Sequence, residues 1–145
     1  MKLVIQRVSN AKVEVEGRVT GEIGQGFLVL LGVTHEDTQQ NADFLVQKLV
    51  NLRVFTDENY KMNLSIKDIK GELLIVSQFT LYANCKKGNR PSFVEAAKPE
   101  QAEELYNYFV EKCKQEGINV QTGEFGAHMQ VSLLNNGPVT IILEK

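Results

Sequence analysis

The sequence predicts a single α+β domain over residues 1–145, with a mixed, barrel-like β-sheet and two main helices. Two observations support this class. Strand-like segments outnumber helical ones, and the two helical segments are inserted between strands without regular alternation. Many strands and few helices leave one sheet face short of cover. We therefore expect a homodimer, in which a second copy covers that face.

The first third of the chain reads as strands. Residues 3–8 form an apolar strand, and Val13 and Val15 alternate with charged residues as in a half-buried strand. Gly17 supplies a turn before the next strand. Residues 27–31 are a continuous apolar run near glycines, which is typical of a strand buried on both faces.

The first helix is predicted to begin at Asp37, with Gln40 completing a capping box. Residues 53–55 then read as a short strand and residues 57–59 as a turn, whereas residues 61–70 carry no clear pattern. The buried stripe of this helix recurs at helical spacing: Ala42, Leu45, Leu49 and Leu52.

Residues 73–81 form the second strongly apolar strand. The second helix begins at Pro99, a residue favoured in the first turn, and ends at Gly117. Its inner face is predicted to contain Ala102, Leu105, Phe109 and Cys113. Three strands are expected after it, over residues 120–122, 129–134 and 139–143.

Composition limits the function classes. Hydrophobic residues make up 43% of the chain and charged residues 23%, as in ordinary globular proteins. A net charge of −2 excludes a surface coated in basic charge, so any nucleic-acid contact must be a local patch. Cys85 and Cys113 have no metal-ligand spacing, and we expect free thiols. No signal peptide or membrane span is recognisable, so the expected compartment is the cytoplasm.

A polar segment, Ser77-Gln78-Phe79-Thr80-Leu81, follows the apolar run of residues 73–76. We call residues 77–81 the hydroxyl motif. Ser77 and Thr80 would act as nucleophiles only with an adjacent base. The chain has two histidines, His35 and His128, and neither lies in a motif. A Ser-His-Asp triad is therefore not predicted.

An electrostatic role is the alternative. The backbone N–H groups of Phe79 and Thr80 would hold the developing oxyanion of an ester carbonyl. Ser77, Gln78 and Thr80 would then orient substrate and water. A purely structural explanation also exists for an isolated motif of this kind, in which the hydroxyls satisfy backbone groups at a strand end.

A second motif, residues 135–140, has the sequence Asn-Asn-Gly-Pro-Val-Thr. Gly137-Pro138 suits a tight corner, because glycine is unhindered and an X–Pro bond can be cis. Together the two motifs resemble the signature motifs of the D-aminoacyl-tRNA deacylases, over nearly the whole chain from Gln6 onward. The chain departs from the family pattern at Asn84-Cys85, often Asp-Thr, and at Asn136, often Asp.

The resemblance implies a dimeric enzyme that hydrolyses the ester between a D-amino acid and tRNA. It implies that Gly137-Pro138 is cis and enters the partner's pocket, where its carbonyls exclude L-side chains. Many D-amino acids, and glycine, would be accepted. The ribose 2′-hydroxyl of the substrate would move the proton, a route we favour over a Thr80 nucleophile. No metal or organic cofactor is implied.

Other residues have supporting roles with open alternatives. Arg7 either holds the Gly-Pro corner through its carbonyls or is a solvated strand arginine. Phe79, Phe125 and Met129 either line the pocket or belong to the core. Two rival functions stay open: a nucleic-acid-binding protein without catalysis, and a conventional serine- or threonine-dependent esterase.

Three positive charges, Lys86, Lys87 and Arg90, follow the hydroxyl motif on a glycine-containing loop. We call residues 86–90 the basic loop. Such a loop suits phosphate contacts along the acceptor stem of tRNA, although a solvated loop has the same composition.

Overall fold

A curved six-stranded sheet, a separate sheet of two short strands and two helices make up the protein, which the computed structural model describes over residues 1–145. The helices are α1 (Gln39–Asn51) and α2 (Pro99–Gln115), and a 3-10 turn spans Phe79–Tyr82. The strands are β1 (Lys2–Val15), β2 (Arg18–Ile23), β3 (Gly26–Gly32), β4 (Phe55–Thr56), β5 (Met62–Leu64), β6 (Glu72–Ser77), β7 (Asn119–Thr122) and β8 (Gln130–Glu144).

The sheet is mixed, as predicted. Its order is β2-β1-β3-β6-β7, and β8 pairs with the other edge of β1. β3, β6 and β7 run parallel, whereas the pairs that β1 makes are antiparallel. β2 also contacts β7, and Gly21 lies directly against the backbone of Thr122. The sheet thus nearly closes on itself, which gives the barrel-like shape.

β1 is one long strand, where two separate strands had been expected. Its pairing with β8 shifts register twice between Gln6 and Asn10. Leu3 and Ile5 pack toward the helices, whereas Val8 and Val13 pack into the interior of the curved sheet. The buried apolar residues of β1 change from odd to even positions between Ile5 and Val8. The register shift lets these residues stay on the inner face, so no break in the strand is needed.

β3 is buried on both faces, as predicted. Phe27 and Leu31 belong to the core beneath the helices, and Leu28 belongs to the core inside the curved sheet. The second apolar strand is shorter than expected: β6 ends at Ser77, and the chain turns at Phe79. The last two predicted strands are one strand, β8, interrupted at the Gly-Pro corner.

The predicted cap of α1 was wrong. Thr38, not Asp37, is the N-cap residue, and Asn41, not Gln40, completes the capping box. Asp37 is buried, where its carboxylate accepts hydrogen bonds from the ammonium of Met1 and from the N–H of Thr34. Because a buried carboxylate needs a positive partner, this long-range contact takes precedence over a local cap.

The remaining helix predictions agree with the structure. The stripe of α1 is buried apart from Leu52, which is partly buried, and α2 begins at Pro99. Gly117 follows α2 with a positive φ of 81°. Both cysteines are free, and burial, with a smaller effect of the Glu116 carboxylate, raises the pKa of the Cys113 thiol to about 12. Neither helix has the length and apolar character needed to cross a membrane.

The tight contact at the start of β3 generates a prediction about stability. A side chain at Gly26 would overlap the backbone of Glu72, whereas a Cβ at Gly24 would meet only the flexible Glu72 carboxylate, at 3.4 Å. We expect Gly26→Ala to destabilise the protein by about 3 kcal/mol, since backbone must move to relieve the overlap. Gly24→Ala is the matched control and should cost less than about 1 kcal/mol. Urea denaturation measures both, and equal unfolding midpoints would contradict the prediction.

Candidate functional site

A cavity of about 600 Å³ opens beside the C-terminal ends of β3 and β6. Leu31 of β3 and Ser77 of β6 lie on its wall. The N–H of Gln78 donates to the carbonyl of Leu31 at 2.8 Å, which is the last bond between the two strands, and the chain then leaves the sheet in the 3-10 turn. The carboxyl ends of parallel strands are a common place for ligand sites.

The hydroxyl motif contributes unequally to the cavity. Ser77, Gln78 and Phe79 line it, whereas Thr80 does not. The side-chain amide of Gln78 donates to the hydroxyl of Thr80. The 3-10 turn lies close over Gly32, where an added Cβ would come within 3.1 Å of the Leu81 Cβ. The motif is therefore held against the end of β3.

The segment before β8 forms the facing wall. Phe125, His128 and Met129 line the cavity. Phe125 and Met129 also pack against the two cores, so the two alternatives for these residues, pocket wall and core, both apply. The hydroxyl of Tyr106 lies beneath this wall and donates to the carbonyl of Ile75 at 2.7 Å. Its ring centroid is 5.9 Å from that of Phe125. Burial raises the pKa of the Tyr106 hydroxyl.

The two histidines lie apart from the hydroxyls. His128 is on the cavity wall, and its ring nitrogen is 3.2 Å from the Gln130 amide. His35 contacts the carbonyl of Val94 at 2.6 Å. Neither forms a hydrogen bond with Ser77 or Thr80, so no serine or threonine is paired with a histidine base. No cluster of three or more His, Cys, Asp or Glu side chains is arranged to hold a metal ion.

Two polar residues of the wall were not identified from the sequence: His128 as a pocket residue, and Lys98, which precedes α2. His128 adjoins Met129, so its neighbour's predicted role was a usable signal. Lys98 offered no such signal, because 20 positions separate it from Gln78 in the chain.

The Gly-Pro corner, residues 136–139, is a bulge in β8. Val8 pairs with Asn135 and Gln6 with Thr140, so the corner faces the intervening Arg7. The Gly137-Pro138 bond is cis. Gly137 and Pro138 are exposed, and neither lines the cavity of its own chain.

Arg7 holds this corner in place. Its Nε donates to the carbonyl of Asn136 at 2.9 Å, and its Nη1 donates to the carbonyl of Val54 at 2.6 Å. The side chain of Asn135 accepts from the N–H of Val139 at 3.1 Å. Arg7 is half-buried and therefore differs from a solvated strand arginine.

The basic loop is attached to the rim of the cavity. Asn84 and Ser92 exchange two backbone hydrogen bonds of 2.8 and 2.9 Å, which close the loop at its base. Phe93, the next residue, packs edge-to-face on Phe79, with ring centroids 5.1 Å apart. Both rings line the cavity. The loop's basic side chains are exposed and form no ion pairs: Lys86, Lys87 and Arg90.

Comparisons with known proteins find relatives that match over nearly the whole chain. Proteins named D-aminoacyl-tRNA deacylase match from Pseudoalteromonas translucida (64% identity, 99% of both chains) and Thermosipho africanus (60%, covering 99% of this chain and 97% of the relative). A solved c-Myc DNA unwinding element binding protein superposes with a TM-score of 0.94 at 47% identity, covering 100% of this chain and 99% of the other. A probable eukaryotic D-amino acid tRNA deacylase, 17% identical, shares the fold with a TM-score of 0.84 over 98% of this chain and 97% of its own.

The family model described as D-Tyr-tRNA(Tyr) deacylase matches residues 4–144, which is nearly the entire chain. With the two motifs and full-length relatives at 60% identity or more, this match shows that the chain belongs to the D-Tyr-tRNA(Tyr) deacylase family.

Proposed function

We propose that this protein is a D-aminoacyl-tRNA deacylase, which hydrolyses the ester of D-aminoacyl-tRNA to a free D-amino acid and tRNA. One observation carries the proposal. In a member of this family, Ser77, Gln78 and Phe79 of the hydroxyl motif line a cavity of about 600 Å³, while an exposed Gly-Pro corner lies on another part of the surface and is bound by Arg7. We expect the enzyme to act in the cytoplasm, without a metal or organic cofactor.

The chemistry relies on backbone donors and on the substrate. Phe79 and Thr80 begin the 3-10 turn, so the hydrogen bonds of the turn do not use their N–H groups. These N–H groups donate to the oxyanion. Water attacks the ester carbonyl, and the bond to the ribose 3′-oxygen breaks. The 2′-hydroxyl of the substrate relays a proton from water to that oxygen. The contact between Gln78 and the Thr80 hydroxyl, with no histidine nearby, supports this route over a Thr80 nucleophile.

Chirality is read by a second copy of the chain. In a homodimer, Gly137 and Pro138 of one protomer enter the cavity of its partner. Two observations support this arrangement: the corner is exposed and outside its own cavity, and β8 exposes Leu134 and Ile142, which are 57% and 63% accessible. A second copy is a natural cover for such a face.

Selection by exclusion explains the expected breadth of substrates. The corner presents carbonyl oxygens where an L-side chain would lie, and a D-side chain points away from them. A pocket that gripped each side chain would gain only ~1–3 kcal/mol per methylene and would need many variants. Glycine has no side chain to exclude, so glycyl-tRNA should also be hydrolysed.

The tRNA contacts are local. The basic loop, attached to the cavity rim through Phe93, is placed to meet phosphates of the acceptor end. Outside such patches the net charge of −2 gives little general attraction for nucleic acid. This charge weighs against a non-catalytic nucleic-acid-binding function of the kind named for the c-Myc DNA unwinding element binding protein.

The proposed reaction and its proton route can be tested directly. The purified protein should release D-tyrosine from charged tRNA at least ~100-fold faster than L-tyrosine, a difference of about 2.7 kcal/mol. Thr80→Ala should retain measurable activity, whereas a 2′-deoxy terminal ribose should slow release strongly. Ester release is followed with labelled tyrosine. Complete loss in Thr80→Ala, together with normal turnover of the 2′-deoxy substrate, would establish the covalent route in its place.

The role of the Gly-Pro corner in chiral selection can be tested by mutation. An added Cβ at Gly137, where φ is +133°, would come within 2.9 Å of the Arg7 guanidinium. Gly137→Ala should therefore disturb the corner and reduce the D/L activity ratio about tenfold or more, equivalent to about 1.4 kcal/mol. Gly17→Ala is the control, since Gly17 also has a positive φ but no neighbour within 4 Å. The same assay measures both, and intact rejection of L-tyrosyl-tRNA by Gly137→Ala would remove the corner from the selection step.

A further inference from the structure

Lys98 is the only lysine, arginine, aspartate or glutamate on the cavity wall. The rest of the wall is mostly apolar, with uncharged polar groups and His128, and no carboxylate lines it. An ammonium group in such surroundings attracts an anion, because nothing in the cavity neutralises its charge.

The backbone around Lys98 is anchored beside the cavity. The N–H of the preceding residue, Ala97, donates to the carbonyl of Val33 at 2.9 Å, and α2 begins at Pro99 immediately afterwards. Lys98 is exposed and takes part in no ion pair. Glu95 and Glu100 are near in sequence, but neither lines the cavity. The backbone of Lys98 is thus held beside the cavity, and its exposed side chain is available to a ligand.

The chemistry of the proposed substrate limits which anion this is. The carboxyl group of the amino acid is esterified and uncharged, and its α-amino group is neutral or positive. The negative group nearest to the ester is the phosphodiester that joins the last two nucleotides. We propose that Lys98 binds this phosphodiester. The inference rests on the proposed function and deepens it, since it adds a phosphate subsite to the ester-binding cavity.

The basic loop extends the same path. The chain runs from the loop through Phe93, Ala96 and Ala97 to Lys98, and each of these four residues lines the cavity. Lys98 therefore lies at the cavity end of this segment and the basic loop at its outer end. One contacts the phosphate next to the ester, and the other contacts phosphates farther along the strand. This arrangement favours nucleotide esters over simple esters of the same amino acid.

The test compares two substrates at several salt concentrations. D-tyrosyl-tRNA carries the phosphodiester, whereas 3′-O-D-tyrosyl-adenosine has the same ester and 2′-hydroxyl but no phosphate. Lys98→Gln should lower kcat/KM for the tRNA about tenfold, as expected for loss of a charge-assisted contact. It should also reduce the slope of log kcat/KM against log salt by ~0.7. Hydrolysis of the adenosine ester should not change, and Lys98→Arg should restore both tRNA values.

Lys114→Gln is the matched control. Lys114 lies in the last turn of α2, about 24 Å from Lys98 at 1.5 Å per residue, and its replacement should not change the hydrolysis of either substrate. An unchanged salt slope in Lys98→Gln, or equal losses on both substrates, would overturn the phosphate subsite while leaving the deacylase function in place. If the unaltered protein released D-tyrosine from neither substrate, the proposed function itself would fail.

Discussion

The parallel pairing of β3 and β6 is the constraint on which the site depends. Both strands lie in the middle of the sheet. Gly26 allows close backbone approach to Glu72 at the start of the pair, and Gly32 lies close to the 3-10 turn beyond its end. The pairing continues to Ser77 and closes with the hydrogen bond from the Gln78 N–H to the Leu31 carbonyl, after which the chain leaves the sheet in the 3-10 turn. Ser77 and Gln78, the polar residues at the end of the buried strand β6, therefore line a cavity and do not face bulk solvent.

The Gly-Pro corner illustrates how a segment with little chemistry of its own is stabilised by others. Proline has no N–H and glycine no side chain, so neither residue can secure the corner with its own donors. Arg7 supplies donors from β1 and joins the corner to the carbonyl of Val54, while Asn135 accepts from the far side. Under the proposed function, this support keeps the corner rigid enough to exclude one enantiomer by shape.

The charge distribution reconciles an acidic protein with an RNA substrate. The chain carries a net charge of −2, yet the cavity wall has a lysine and no carboxylate, and the basic loop is attached at its rim. Such local placement suits recognition of one end of a tRNA, because a few phosphates close to the ester are enough to orient it. Broad positive charge would instead favour binding anywhere along the nucleic acid.

Local signals allowed the sequence to determine the fold class, both helices, the doubly buried β3 and the two family motifs. These signals act within a few residues, so they can be recognised without the tertiary structure. They include helical periodicity, Pro99 at the start of α2 and Gly117 after its end. Long-range contacts decided the rest. Asp37 binds the Met1 ammonium instead of capping α1. Register shifts allow one continuous strand, β1, where two strands were predicted. Lys98 and His128 line the same cavity as Ser77 only after the chain has folded. These outcomes depend on strand register and on partners far apart in the chain, which no short stretch of sequence encodes.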